Sequence, residues 1–332
     1  MLGKGVKVII ICALAVFGVI CVNQLKSTSQ VGFLNLDQSE FDLYLENFGK
    51  SYSGEEYQTR FLIFSENMGF IRVFNSQKES WVLGQTAYSD LTVSEYKSML
   101  SYSSNTATPD QTLFKQVNPT YPQTIDWRTQ GIVSPVSNQG NCNSGWAFSA
   151  IGAIEGAWAQ AGNTLQQLSE QELIDCSSRY GNSGCNGGTM DYAFNYVINK
   201  GITSDSAYPY TAKTGTCQNP VAVAQITSFT DVTPNSPTDL YNAVAERTVS
   251  VAVDADPAIW QNYKGGVISR NCGSDLNHGA LVVGYNSVST PPYWILKNSF
   301  GVNWGESGYI RLAVVNGDGI CGVQKQPSYP IV

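Results

Sequence analysis

Between Trp146 and Trp158 the chain reads WAFSAIGAIEGAW, which is apolar on nearly every face of a helix. A helix without a polar face has to be buried on all sides, so the domain around it must be large enough to enclose it. The pattern predicts a central buried helix, with Asn143 or Ser144 as its N-cap. Strand-like runs come later, at Val249–Val253, Gly279–Tyr285, Tyr293–Leu296 and Tyr309–Val314, punctuated by Gly and Asn. Helix first and strands later is an α+β pattern.

A chain of 332 residues has room for that domain and a second one, and 42% hydrophobic against 14% charged residues fits a large core. The net charge is −7 and basic stripes are absent, which argues against nucleic-acid binding. Residues 1–22 have the form of a signal peptide: Lys4 and Lys7 precede an apolar run from Val8 to Val22. That run is 15 residues long, shorter than the roughly 20 a membrane span needs. The alternative is an uncleaved signal anchor. With the signal removed, no stable membrane insertion is expected. The route is secretory, ending in a lysosome or acidic vacuole or outside the cell.

Residues 33–100 are rich in helix formers and lack cysteine. Phe61, Phe64, Met68, Ile71 and Phe74 recur at helical spacing and predict a long amphipathic helix. Residues 101–120 are polar, Ser/Thr-rich and broken by proline, as expected of an exposed linker that proteases cut. The composition changes again over 121–332. Six cysteines lie here, Cys142, Cys176, Cys185, Cys217, Cys272 and Cys321, while Cys12 and Cys21 would leave with the signal. An even set in an exported chain suggests three disulfides, among 15 possible pairings.

The only histidine, His278, lies in NHGALVVGY, and Asn298 lies in YWILKNSFG. A lone histidine is often structural, so its context decides. His278 follows Gly145 by 133 residues and Asn298 follows it by 153, close to the roughly 130–150 that separate a thiol-protease nucleophile from its His and Asn.

From Phe41 to Val332 the chain resembles a papain-family cysteine protease precursor of the cathepsin L type. The resemblance is carried by YPQTIDWRTQGIVSPVSNQG, NQGNCNSGWAFS, LSEQELIDCS, GCNGGTMDYAF, NHGALVVGY, KNSFGVNWGESGYIRL and CGVQKQPSYPIV, in the family's order. Glu56, Arg60, Phe64, Asn67, Ile71 and Asn75 match the family's pro-segment helix, E-x3-R-x3-F-x2-N-x3-I-x3-N. Gly84, Thr86, Tyr88 and Asp90 stand at its G-x-N-x-F-x-D positions, two of them changed. The resemblance implies a papain-like two-lobed α+β fold, with a helical left lobe and a barrel-like right lobe. A helical inhibitor pro-domain would precede it and send a segment backwards through the cleft.

The resemblance also implies roles. A thiolate attacks the peptide carbonyl, His278 is the base, Asn298 orients it, and Gln139 holds the oxyanion. Trp304 forms an aromatic wall. Gly187 and Gly188 clamp an extended peptide, and Thr189, Met190 and Gln326 line the S2 pocket, with Gln326 making its far end polar. The implied disulfides are Cys142–Cys185, Cys176–Cys217 and Cys272–Cys321, at roughly 4 kcal/mol each on the loop-entropy view. No metal and no cofactor are implied. The expected partners are extended peptide segments and the chain's own pro-domain, and the expected state is a monomer.

The nucleophile position, however, holds Gly145, which has no side chain to attack with. Ser144 is a helical step of about 100° away, so its hydroxyl should point away from His278. Cys142 is expected in a disulfide. Phe300 replaces a usual Trp over the Asn–His pair, and Asn143 replaces a usual Gly where backbone approach to the peptide matters; asparagine tolerates positive φ better than most residues, so the loop is expected to survive. A cysteine at 145 is expected to fit with little strain, because the family carries one there. Three functions follow: a non-catalytic peptide- or partner-binding pseudo-peptidase; a cysteine endopeptidase whose Cys at 145 was mutated or wrongly recorded; or an inhibitor of active relatives through the pro-domain.

Overall fold

The computed structural model describes residues 38–102, 121–255 and 258–332. The expected signal peptide and most of the expected linker lie outside the described residues. Residues up to Gly69 and from Phe70 onward form two compact units. The first holds a helix over 38–47 (α1) and the start of α2, Gly54–Ser76. Its interior is aromatic: Phe41 packs against Phe61 and Phe64, and Tyr44 against Phe48 and Phe64. The apolar positions that predict α2 are the buried ones, Phe61, Phe64, Met68, Ile71 and Phe74.

The second unit opens with a strap. Strand β1, Trp81–Leu83, is held by Asn75, whose amide donates to the Leu83 carbonyl (2.9 Å) and accepts from the Leu83 N–H (3.0 Å). Helix α3, Val93–Ser98, starts with a capping box in which Thr92 and Glu95 satisfy each other's backbone N–H groups.

Helix α4, Gly145–Gln160, runs through the core. Its buried residues cover every face, as the all-round apolar pattern requires. Helices α5 (Glu170–Cys176) and α6 (Met190–Lys200) pack beside it in one lobe. The buried Met190, Ala193, Phe194 and Val197 of α6 fall on one helical stripe. Helix α7, Pro237–Glu246, begins with Ser236 as cap and proline in its first turn, while α8, Ala258–Gln261, is a single turn.

The other lobe is the sheet. Its strands are β2 (Thr124–Asp126), β3 (Ser228–Asp231), β4 (Val249–Val253), β5 (Tyr263–Ile268), β6 (His278–Asn286), β7 (Tyr293–Lys297), β8 (Tyr309–Ala313) and β9 (Ser328–Ile331). Among the described residues the order is β1-β5-β8-β7-β6-β4-β9-β3, with β2 on β6. All pairs are antiparallel except β5–β8. The expected strand runs reappear as β4, β6, β7 and β8, within a residue at each end.

Helix α4 lies directly on β6. Ser149 Oγ donates to the Ala280 carbonyl at 2.6 Å, and Gly152 leaves room for Leu281, which a Cβ would meet at 2.8 Å. This contact brings the start of the helix to the start of the strand, and therefore residue 145 to residue 278. Disulfides join Cys142 to Cys185, Cys176 to Cys217, and Cys272 to Cys321. The architecture is the expected papain-like α+β fold, a helical pro-region preceding a sheet-rich lobe.

Candidate active site

Gly145 is the first residue of α4 and His278 the first of β6. His278 is 2% exposed and its Nε2 is 2.8 Å from Asn298 Oδ1. That oxygen also accepts from the Ser299 N–H (2.8 Å), so it serves as acceptor and the imidazole carries its proton on Nε2. Nδ1 is left without a proton and faces Gly145. A Cβ on Gly145 would stand less than 3.0 Å from both Nδ1 and Cε1 of His278. The ring thus fills the place of the missing side chain. This corrects the expectation that cysteine would enter without strain: the imidazole has to withdraw first.

Burial pushes the His278 pKa down from 6.5 to about 4, with the Asn298 hydrogen bond opposing the shift. Phe300 covers the ring at a centroid distance of 4.9 Å and Trp260 lies at 6.3 Å. The folded state therefore lacks a proton that the unfolded state binds between about pH 6.5 and 4. Stability should fall as pH falls through that window, by about 3 kcal/mol in all, and this contribution stays constant below it. Because the chain has one histidine, its ring proton resonances are unambiguous in NMR. They should stay unchanged through pH 6 and shift only near pH 4; a midpoint near 6.5 would refute the burial account.

Gln139 is fully buried beside this pair. Its Nε2 donates to the Cys142 carbonyl (3.0 Å) and, at 3.5 Å, to the Met99 carbonyl of the strap. Ser299 Oγ donates to its Oε1 at 2.6 Å, which fixes the amide. Gln139, Asn298 and His278 are thus linked: Ser299 bonds Gln139 through its hydroxyl and Asn298 through its N–H, and His278 bonds Asn298 and faces residue 145.

The two side chains beside residue 145 are held by other partners. Ser144 stands at the N-cap position but makes no side-chain cap bond. Its hydroxyl lies 2.7 Å from Tyr210 Oη and donates to the Cys142 carbonyl at 3.3 Å, so the expected cap is absent and the group is held elsewhere. Cys142 is in a disulfide. Asn143 does not need its tolerance of positive φ, since its backbone is not left-handed; its N–H donates to the Cys185 carbonyl at 3.3 Å.

The strap crosses the other expected residues in order. Met99 meets Gln139, the Ser101 hydroxyl donates to the Asn186 carbonyl (2.7 Å), and the Tyr102 hydroxyl donates to Gln326 Oε1 (2.9 Å). Ser101 lies so close to Gly187 that a Cβ there would overlap its side chain. Gly188 is pressed between Asn182 and the Trp146 ring. Thr189 and Met190 are buried, and Thr189 caps α6 by accepting from the Tyr192 N–H (3.3 Å). Trp304 is buried too, stacked on Trp260 at 5.7 Å and bonded through Nε1 to the Trp260 carbonyl (2.9 Å). Residues 101 and 102, expected to open the exposed linker, are instead seated in the cleft.

Upstream, the strap is anchored by residues that sequence reasoning missed. Gln261 Nε2 donates to the carbonyls of Tyr88 (2.7 Å) and Leu91 (2.8 Å). Thr86 Oγ1 donates to the Gln261 carbonyl (2.7 Å), and Ser89 Oγ to Asn262 Oδ1 (3.0 Å). Tyr88 and Tyr96 pack edge-on against Phe300. The altered Tyr88 of the pro-segment motif thus meets the altered Phe300, while the altered Thr86 bonds to Gln261.

A second missed cluster lies beneath the site. Glu155 is buried within α4, accepting from the Ser134 hydroxyl and from the Leu168 N–H (2.8 Å), and Lys297 Nζ donates to Ser134 Oγ (3.0 Å). Burial raises the Glu155 and Glu170 pKa values and lowers that of Lys297. A lone carboxylate in an otherwise apolar helix was the available signal.

Residues 121–331 match the papain family cysteine proteases, and residues 41–96 match the cathepsin propeptide inhibitor domain (I29). The chain belongs to the papain family of cysteine proteases, and to its cathepsin L-like pro-forms. It is 41% identical over 298 residues to the rice (Oryza sativa subsp. japonica) senescence-specific cysteine protease SAG39, covering 86% of this chain and 88% of that one. It is also 41% identical to cysteine proteinase RD21A of Arabidopsis thaliana, covering 88% of this chain but only 66% of that protein's length. Digestive procathepsin L 3 of the Tenebrio molitor larval midgut superposes with a TM-score of 0.82 at 38% identity, covering 90% of this chain and 99% of that one. No described helix is long and apolar enough to cross a membrane.

Proposed function

We propose that this chain is a non-catalytic member of its family, exported as a pro-form, whose cleft binds extended peptide segments without cutting them. The observation that carries the reading is at residue 145: there is no side chain, and the His278 ring occupies its place. The held positions of Ser144 and Cys142 add support, since neither hydroxyl nor sulfur is free to attack. The retained His278–Asn298 bond and the fixed Gln139 favour a second reading, an active endopeptidase that carries Cys at 145 in its source. Reading codon 145 in the source genome separates the two. The third reading, in which the pro-segment inhibits active relatives in trans, is tested by adding the chain to such a relative and measuring its activity. A secretory route to a vacuole or the exterior goes with the expected signal peptide.

Incubated alone at about pH 4–5, where carboxylates begin to protonate, the pro-form should stay whole. A relative added in trans should cut within 103–120. After that relative is inactivated, a dipeptidyl fluorogenic substrate should show no turnover, and a labelled peptide should still bind. Turnover that a thiol-directed epoxide abolishes, with label on Cys142, would overturn the proposal.

A further inference from the structure

A cavity of about 330 Å³, counting the space open to solvent, lies between α7 and the β3–β9 end of the sheet. Its lining includes Asp239, Asn242 and Glu246 from the helix and Thr230, Asp231 and Tyr329 from the strands. It is separate from the cleft. Adjacent residues of a strand face opposite sides, and Ser328 turns to Asp191 (2.8 Å) while Tyr329 turns to the cavity. Asp239, Asn242 and Glu246 are three and four residues apart, so they form one stripe of α7 facing it.

Asn242 is the residue that points to a ligand. It is 5% exposed, and its Nδ2 is buried with no acceptor. A buried amide donor without an acceptor is costly, and this one lines a cavity in which an acceptor can be placed. Asp239 bonds the Ser236 hydroxyl through its backbone N–H (3.2 Å), which leaves its carboxylate to the cavity. Arg247 lies over the Tyr329 ring at 4.6 Å and reaches Glu246 at 3.3 Å. Glu246 is thus neutralised in part, and Asp239 is the stronger partner for an incoming cation.

A ligand that completes the cavity brings a cation for Asp239 and, close beside it, an oxygen acceptor for Asn242. Among the described residues no three His, Cys, Asp or Glu side chains converge to hold a metal ion, so the cation is organic. The interior admits only one or two water-sized groups, so the ligand enters by its head group. A lysine side chain has an ammonium but no acceptor next to it. A guanidinium has donors only and leaves the Asn242 amide unpaired. An acetylated chain end has the carbonyl without the charge. The free amino terminus of a polypeptide has both. We propose that this cavity captures the free amino terminus of a partner polypeptide, its ammonium against Asp239 and its first carbonyl accepting from Asn242 Nδ2. Nothing in this capture depends on residue 145 or on what the cleft holds.

The test uses the full chain, labelled with heavy nitrogen, and follows the Asn242 side-chain amide by NMR. Alaninamide, which carries the ammonium and the carbonyl, should bind and shift that amide. Ethylamine, with the ammonium alone, should bind about 5-fold more weakly, the size of one hydrogen bond, and N-acetylalaninamide, with the carbonyl alone, should not bind. Asp239→Asn should weaken alaninamide about 10-fold, as expected when a charged partner is lost. Asn242→Leu should reduce alaninamide to the affinity of ethylamine. That variant should fold, since it removes a buried donor that has no acceptor; should it not, Asp239→Asn at its half-buried position decides. Peptides of one sequence with an internal lysine, one with a free and one with an acetylated amino terminus, separate terminus from side chain: only the free form should bind. Equal binding by ethylamine and alaninamide would reduce the site to a cation patch and overturn the proposal. So would binding of the acetylated peptide, tighter binding by glucosamine, whose hydroxyls stand next to its ammonium, or no shift with alaninamide.

Discussion

Gly145→Cys should turn the processed chain into a peptidase, raising kcat/KM on a dipeptidyl fluorogenic substrate by about 10⁴-fold or more over the unchanged chain. The parts around the new sulfur are in place: Gln139 is locked by Ser299, Asn298 accepts from His278, and Nδ1 of His278 is unprotonated and aimed at residue 145. Two obstacles set the size of the gain. The incoming Cβ has to displace the imidazole, which is held by Asn298 and covered by Phe300, although a ring at the end of a side chain yields more readily than backbone. The buried His278, with a pKa of about 4, is also a poor imidazolium. Removing the strap admits water and relieves that burial, and a thiolate alongside favours the protonated ring. Epoxide labelling of Gly145→Cys should therefore depend on His278 and rise when the pro-segment is cut away. Labelling no faster than that of a free thiol, with His278→Ala making no difference, would mean that the site has decayed beyond its nucleophile.

Lys297→Met should cost about 1–3 kcal/mol of folding stability at pH 7, the range for removing a charged hydrogen-bond donor from a buried network. The ammonium is the cation that opposes the burial of both Glu155 and Glu170, and through Ser134 it joins the network that ends on the Leu168 N–H. Without it the repulsion between Glu155 and Glu170 loses the cation that opposes it. The deficit should shrink in acid. Both glutamates have folded pKa values above the ordinary 4.5, so the folded state takes up protons that the unfolded state does not, and their charge penalty fades as pH falls towards that value. Urea unfolding at pH 7 and pH 5 measures both effects. Adding Glu155→Gln should recover much of the loss at pH 7. A cost below about 1 kcal/mol for Lys297→Met alone would show that the ammonium does not hold the network.

The first of these effects was largely legible in the chain and the second was not. Gly145, His278 and Asn298 announce themselves through motif spacing, because the family's chemistry requires three residue types at separated positions. Glu155 shows only that one carboxylate interrupts an apolar helix; Ser134 lies 21 residues before it and Lys297 lies 142 residues after it, and nothing local points to them. The strap shows the same division. Its motif residues Thr86 and Tyr88 could be found by pattern, but Gln261, which grips the backbone at Tyr88 and Leu91, lies about 170 residues downstream in a single helical turn with no signature.

By itself the sequence determined what local periodicity and spacing carry: the buried central helix, the amphipathic helix of the pro-segment, four core strands, and the positions of Gly145, His278 and Asn298 along the chain. These follow from side-chain patterning within short windows, where the hydrophobic effect acts on one element at a time. Only the tertiary structure decided that Ser101 and Tyr102 sit in the cleft and that His278 fills the space at Gly145. Each depends on backbone segments brought together by the packing of α4 on β6 or of the strap on the cleft, and close packing of that kind is a property of the whole core, not of any one stretch of chain.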